Sequence, residues 1–319
     1  MMNNINPIEL LYRSMLRIRR VEEAIAERYA AQQIRCPVHL SIGQEAVAAG
    51  ICAALTTQDG VFSSHRAHAH YLAKGGDLKA MLAEIYGKAE GCCKGVGGSM
   101  HMIDLAAGFL GAVPIVGATV PLAVGAAWAA RLRGEDKVIV VFLGDGTFEE
   151  GVVFESINFA VLHKLPVLFV CENNLYACYT RLSTRQADRS IHGVAAACGC
   201  KTMNVDGNDA LAVFDAASRA VADLREGSLP YFIECATYRL REHCGPNIDD
   251  ELGYRPEAEV AEWKAACPVG RLEKMLKPGS QDMMADIERE IAEEIDEAFI
   301  CALAGEIPEQ ADLPGYLYD

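Results

Sequence analysis

Positive charge is in short supply. The 319 residues carry 29 Lys and Arg against 44 Asp and Glu, a net charge of −15. A chain this acidic is a poor partner for nucleic acid or an anionic membrane surface. The carboxylates are spread along the chain, as on a solvated surface. No apolar run reaches the roughly 18 residues of a membrane span. The opening residues lack the basic segment, apolar core or Arg-rich character of a targeting leader, so a cytoplasmic protein is expected. Cys-x-x-Cys is absent although Cys 12 is the count. The close pairs Cys92-Cys93 and Cys198-Gly199-Cys200 do not have zinc-site spacing. Most cysteines sit among Ala, Val and Leu, as Cys52 does between Ile51 and Ala53. They read as small core residues in a reducing compartment. Repeats and low-complexity segments are absent too. The 51% hydrophobic content is ample for one large α/β core.

What is present centres on residues 137–174. The apolar, β-branched segment 137–143 ends in Gly144-Asp145-Gly146, as a buried parallel strand ends in a turn. Thr147-Phe148-Glu149-Glu150 has the Thr-x-x-Glu pattern of a helix start. Val153, Ile157, Ala160 and Val161 recur at helical spacing. A second buried strand, 167–171, runs into Glu172-Asn173-Asn174. A strand–helix–strand unit of this kind is parallel and right-handed. It places Asp145 and Asn174 at the carboxyl ends of two strands in one sheet, where open α/β sheets bind ligands. A carboxylate beside an amide oxygen is a hard-oxygen pair suited to Mg²⁺ and phosphate. The amino end of the following helix adds N–H donors for an anion. Neither the glycine fingerprint of a dinucleotide site nor a P-loop follows the strand. The expected ligand is a diphosphate held through a divalent ion.

Around that unit, 8–31 reads as a long amphipathic helix. Residues 43–55 form an Ala-rich helix with almost no polar face, which belongs in a protein or subunit interior. His65, Arg66, His68 and His70 follow 59–64. Four glycines within 91–99 mark a loop that bends sharply or approaches something closely. The Ala/Gly-rich helix 121–132 suits either a subunit interface or a tightly packed core. Residues 175–193 read as a surface loop over the site. A strand at 201–205, a helix at 210–225 and a strand at 231–237 complete the alternation. The carboxyl-terminal helix 282–304 carries Ile287, Ile291, Ile295 and Phe299 on one face. The expected fold is α/β, a mainly parallel doubly wound sheet flanked by helices. Residues 1–319 read as one domain with an amino-terminal helix and a helical tail.

Seven segments in order carry a resemblance over about 11–276. They are HLSIGQEA (39–46), HRAHAHYLAKG (65–75), GVGGSMH (95–101), IVGATVPLAVGAA (115–127), GDGTFEEG (144–151), KLPVLFVCENNLY (164–176) and TYR (237–239). The chain resembles the alpha subunit of the first component of 2-oxoacid dehydrogenases, of the pyruvate, branched-chain and acetoin types. The resemblance implies a thiamine-diphosphate-binding fold with Mg²⁺. It implies metal ligation by Asp145, Asn174 and the backbone carbonyl of Tyr176. It implies diphosphate contacts from Arg66, Gly144, Gly146 and Thr147, with His65 nearby, and an apolar contact from Val116 beneath the cofactor rings. His39, His68 and His243 match histidines at the reactive end, suited to hydrogen bonding and proton transfer at a substrate carbonyl oxygen; His243 also reaches the cofactor.

The resemblance further implies a separate beta subunit that supplies the glutamate activating the cofactor, in a tetramer of two alpha and two beta chains. The acyl unit from a small-molecule 2-oxo substrate would pass to a lipoyl group on an acyltransferase. The alternative is a two-subunit decarboxylase or carboligase of a specialised pathway without a lipoyl partner. Departures from the family pattern gather near the substrate. Pro114 stands where glycine is usual, and Arg241-Glu242-His243-Cys244-Gly245-Pro246 replaces a Gly-His-Ser stretch. The loop 239–255 brings Arg241, Glu242, Asn247, Asp249 and Asp250 toward the mouth of the site. These side chains either meet a polar substrate larger than pyruvate or face solvent or the beta subunit.

Overall fold

The computed structural model describes residues 6–309 and Gly315. Helix α1, Pro7–Tyr29, opens where Asn6 accepts the Ile8 N–H at 3.1 Å; Pro7 fits a first turn that needs no N–H. Its Leu11, Met15, Ile18, Val21 and Ile25 are all buried. There follow α2 (Glu45–Ala53), β1 (Gly60–Ser63), α3 (His68–Ala73) and α4 (Leu78–Ile85). After the glycine-rich loop come β2 (Phe109–Ala112), α5 (Thr119–Leu132), β3 (Ile139–Gly144), α6 (Gly151–Leu162) and β4 (Val167–Asn173). A hairpin of β5 (Tyr176–Ala177) and β6 (Thr180–Arg181) leads into α7 (Leu182–Arg185) and α8 (Ile191–Ala197). Then β7 (Lys201–Asp206), α9 (Ala210–Arg225) and β8 (Tyr231–Ala236) precede the closing helices α10 (Glu257–Ala265), α11 (Pro268–Glu273) and α12 (Gln281–Ala304).

Six strands pair in the order β2-β1-β3-β4-β8-β7, every pair parallel. Alternate residues of each central strand enter two separate cores. Val140 and Phe142 of β3 pack on the side of α1, α2 and α9. Ile139, Val141 and Leu143 pack on the side of α5, α6 and α8. All seven residues of β4 are buried, which is why it reads in sequence as a continuous apolar run. This is the doubly wound α/β sheet expected from the alternating pattern.

Helix α2 is buried from Glu45 to Cys52. A Cβ at Gly50 would stand 2.7 Å from Val213 of α9, so the two helices meet at a distance that needs glycine. Helix α5 divides: Val120, Ala123 and Ala127 are buried, whereas Leu122, Trp128 and Leu132 lie exposed. Across the molecule, Ile287, Ile291, Ile295 and Phe299 of α12 are buried in the core that holds α1. Each such side chain contributes roughly 1.5–3 kcal/mol. The ion pairs Arg13–Glu290, Arg17–Glu294 and Arg20–Glu288, at 2.6, 2.7 and 2.6 Å, flank that contact. Being part-exposed they set register more than stability.

Two local expectations differ from the structure. Thr147–Glu149 forms a single 3₁₀ turn, and α6 starts only at Gly151 with Glu150 extended. Thr147 therefore makes no capping bond, and the turn rather than the helix follows Asp145. Residues 175–193 contain the β5–β6 hairpin, α7 and the start of α8; elements this short leave no periodic trace in a sequence.

Candidate active site

From β1 the chain turns out to the edge strand β2, and from β3 it proceeds the other way to β4 and β8. Ligands of open α/β sheets settle at such a reversal, beyond the carboxyl ends of the strands. A cavity of about 400 Å³ opens there, a volume suited to a small molecule. Its wall receives His65 and Arg66 from the segment after β1, and Gly144, Asp145, Gly146 and Thr147 from the end of β3. Glu172, Asn174 and Tyr176 come from β4 and its continuation. His39, Gln44, Met100, Pro114, Val116 and His243 line it as well.

One set of lining residues offers oxygen atoms. Asp145 is 2% exposed. Burial raises its pKa, opposed by the guanidinium of Arg185, with which it forms an ion pair. Arg185 also pairs with Glu149, and Gln186 Nε2 donates to the Asp145 carbonyl at 3.3 Å. Asn174 Nδ2 donates to Gln44 Oε1 at 3.1 Å, and Asn174 Oδ1 accepts the Tyr176 N–H at 3.2 Å. Sequence patterns gave no sign of Arg185. Gln44 sits inside the HLSIGQEA segment, where sequence alone gives it no role.

A second set of lining residues is imidazoles. The rings of His39 and His65 stand 4.7 Å apart, and His243 lies 5.2 and 5.3 Å from them. A parallel bridge between His39 and Gly245 brings the two distant segments together, with the Gly245 N–H donating to Val38 O at 2.8 Å. Arg66 ties the same segments, donating to the carbonyls of Leu40 at 2.5 Å and His243 at 3.1 Å. Burial, then Arg66, pushes His39 down to about 2, His65 to about 3 and His243 to about 4. Arg66 is itself lowered to about 9 by burial and the nearby Arg239. The three imidazoles are neutral near pH 7.

His68 is the expected site residue that the structure does not bring to the cavity. It is 0% exposed, with Nε2 2.7 Å from Ser99 Oγ and Nδ1 3.5 Å from Glu22. Sequence reasoning also missed two carboxylates behind the wall. Both oxygens of buried Glu22 accept the Ser41 N–H at 2.8 Å. Buried Glu45 accepts the Gly43 N–H at 3.1 Å and pairs with Arg19 at 2.6 Å. They hold the loop that carries His39 and Gln44. The available signal was a glutamate on the apolar face of a helix, Glu22 between Ile18 and Ile25.

The charged loop 239–255 is occupied with itself. Arg255 and Asp249 form an ion pair with both side chains 2% exposed. Asp250 pairs with Arg255 and Lys264. Glu242 accepts the Asn247 N–H at 2.8 Å, and Arg241 donates to Pro246 O at 3.0 Å. Of this loop His243 lines the cavity. Arg241, Glu242, Asp249 and Asp250 thus have partners within the loop or on α10.

Residues 13–310 match the family model described as "Dehydrogenase E1 component". The chain belongs to the dehydrogenase E1 component family. It is 40% identical over 303 residues to the alpha subunit of acetoin:2,6-dichlorophenolindophenol oxidoreductase of Bacillus subtilis, covering 95% of this chain and 91% of that one. It is 38% identical over 312 residues to the chloroplastic pyruvate dehydrogenase E1 component subunit alpha-3 of Arabidopsis thaliana, covering 95% and 72%. A third relative, pyruvate dehydrogenase E1 component subunit alpha of Rickettsia bellii, is 34% identical over 310 residues, covering 96% and 94%. Within the E1 family these relatives are alpha subunits of the pyruvate and acetoin types.

Proposed function

We propose that this E1 chain binds thiamine diphosphate through Mg²⁺ and, with a beta subunit, oxidatively cleaves a small 2-oxo acid or acetoin. The observation that carries the reading is one cavity lined by both Asp145 and Asn174 and by three neutral histidines. Asp145, Asn174 and the Tyr176 carbonyl would hold Mg²⁺, for which such oxygens are suited. Arg66, Gly146 and Thr147 would meet the diphosphate, and Val116 the rings. Two features support the fit. His39 and Gln44 line the cavity, and each has a buried nitrogen, Nδ1 and Nε2, without a hydrogen-bond partner. At Gly144 nothing lies within 4 Å of where a Cβ would stand, so a ligand has room to approach the backbone.

When bound, the cofactor supplies the nucleophilic carbon and electron sink for cleavage beside a carbonyl. The chain's own part is to orient and to move protons. His39, His65 and His243, held neutral, present N–H groups to a carbonyl oxygen and accept protons on the other nitrogen. His68 supports the wall from behind through Ser99. The open faces of α5 and α6, with Leu122, Trp128, Leu132 and Leu162 exposed, support association with a beta subunit into a tetramer of two alpha and two beta chains. In this reading a lipoyl acyltransferase takes the acyl group. The packing of α12 on α1 supports treating residues 1–319 as one domain. Purified alpha–beta protein should reduce a dye with pyruvate or acetoin only when thiamine diphosphate and Mg²⁺ are added. Full activity without either, or none with any 2-oxo acid or acetoin, overturns the reading.

A further inference from the structure

The glycine-rich segment 91–99 has no task in the function proposed above. In the structure it wraps around one side chain. Glu84, near the end of α4, is 1% exposed. Its Oε1 accepts the N–H groups of Gly97 at 2.7 Å and Gly98 at 2.9 Å. Its Oε2 accepts those of Cys93 at 2.7 Å and Gly95 at 2.9 Å. Backbone N–H groups converging in this way form the kind of nest that loops use to bind anions. Here the anion belongs to the chain itself. The loop reaches this shape through Gly95 and Gly98, at φ +77° and +62°. A Cβ at Gly95 would also lie 2.5 Å from the Lys88 carbonyl oxygen.

The wrap delivers Ser99 and Met100. Ser99 is buried with its Oγ 2.7 Å from His68 Nε2, and its N–H donates to Cys36 Sγ at 3.2 Å. Met100 lines the cavity. We propose that Glu84 is a positioning residue that acts through this loop, its charge fixing Ser99 against His68 and Met100 in the cavity wall. The effect on turnover rests on the proposed function; the effect on the loop does not. Charge, rather than shape, is what the four donors require. Glutamine at 84 would keep one acceptor oxygen and turn an NH₂ group against the donors of the other pair. Aspartate would keep the charge and retract it by one methylene.

The test uses the alpha–beta assembly with E84Q, E84D, S99A and E84Q/S99A. Hydrogen exchange at Cys93, Gly95, Gly97 and Gly98 should quicken by about 100-fold in E84Q, with sheet amides unchanged. Turnover should fall about tenfold with KM for the 2-oxo substrate within about twofold, because a misplaced wall affects the reacting geometry more than capture. E84D should recover most of the loss. E84Q/S99A should be no slower than S99A, and the His68 ring nitrogen shifts of E84Q should move toward those of S99A. Should E84Q fail to fold, E84D, S99A and E84D/S99A form the cycle for the smaller residual loss, and exchange at the four loop amides of E84D should still quicken relative to the sheet amides. Additive losses in the double variant, exchange quickened evenly over the fold, or unchanged His68 shifts each overturn the proposal. An assembly inactive on every 2-oxo acid and acetoin counts against the function instead, and the exchange and His68 measurements still decide the role of Glu84.

Discussion

Arg185→Ala removes the cation that stands against Asp145. The two side chains are 12% and 2% exposed, so the pair is shielded from solvent. Deleting one partner of a buried pair costs about 3–5 kcal/mol, because the other charge is left alone. Protonation limits the loss. An aspartate of ordinary pKa, 3.8, can be protonated at pH 7 for about 4 kcal/mol, at about 1.4 kcal/mol per pH unit. Burial already raises Asp145 and Arg185 opposes that rise, so the variant's Asp145 titrates higher still. A carboxyl with a raised folded pKa adds stability below its ordinary pKa and loses it as pH climbs through the folded value. In urea unfolding without metal or cofactor, the variant should therefore lose about 3 kcal/mol at pH 7.5 and almost nothing at pH 4. The same cycle predicts a gain elsewhere. With no guanidinium to displace, Mg²⁺ and thiamine diphosphate should bind up to about 100-fold more tightly, as calorimetry would read. Equal stability at pH 7.5 would refute the shielding argument. Weaker cofactor binding would show Arg185 to be a cofactor contact and refute its role as a stand-in cation.

Asp145→Ala should abolish Mg²⁺-dependent binding of thiamine diphosphate with the fold intact; unchanged affinity by calorimetry would remove Asp145 from the metal site. The chain purified without a beta subunit should show no decarboxylating turnover, and robust turnover alone would contradict the two-subunit reading. His39→Ala and His243→Ala should each slow turnover by roughly 10²- to 10⁴-fold, and near-normal rates in both would return these residues to structural duty. The depressed values of about 2 for His39, about 3 for His65 and about 4 for His243 also carry a pH signature. Their contribution to stability is complete above the ordinary value of 6.5 and falls away as pH drops from there toward the folded values; a urea midpoint that rises on acidification through this window, in protein lacking the Arg185 substitution, would contradict it.

The β3–α6–β4 unit was legible because both strands are buried on two faces and leave unbroken apolar runs, and because Pro166 separates helix from strand. Helix α1 was legible from its spacing alone. The capping pattern at Thr147 misled because it is a local preference, and Glu150 takes an extended backbone that delays the helix to Gly151. His39 and His243 lie far apart in sequence, and no periodicity joins them. Motif resemblance named them, and the bridge at Gly245 shows how they meet. The charges of loop 239–255 were visible but their partners were not, since Asp249 reaches Arg255 and Asp250 reaches Lys264 only once the backbone has turned. Arg185 and Glu84 differ in kind. An arginine in an aperiodic segment carries no signal, whereas a glutamate within the buried run Met81-Leu82-Ala83-Glu84-Ile85 announces a hidden set of donors.

The pairing of α1 with α12 has a consequence for synthesis. The apolar face of α1 leaves the ribosome well ahead of α12, whose Ile287, Ile291 and Ile295 are buried in the same core. At about 5–20 residues per second, that face waits roughly 15–55 s for its partner. Over that interval α1 can shelter against α2 and α3, which follow it closely and share its core, but the side that meets α12 stays wet. Chaperone capture during translation should accordingly map to α1 and persist until α12 has emerged, and a stop codon placed before Gln281 should leave a chain that keeps its chaperone.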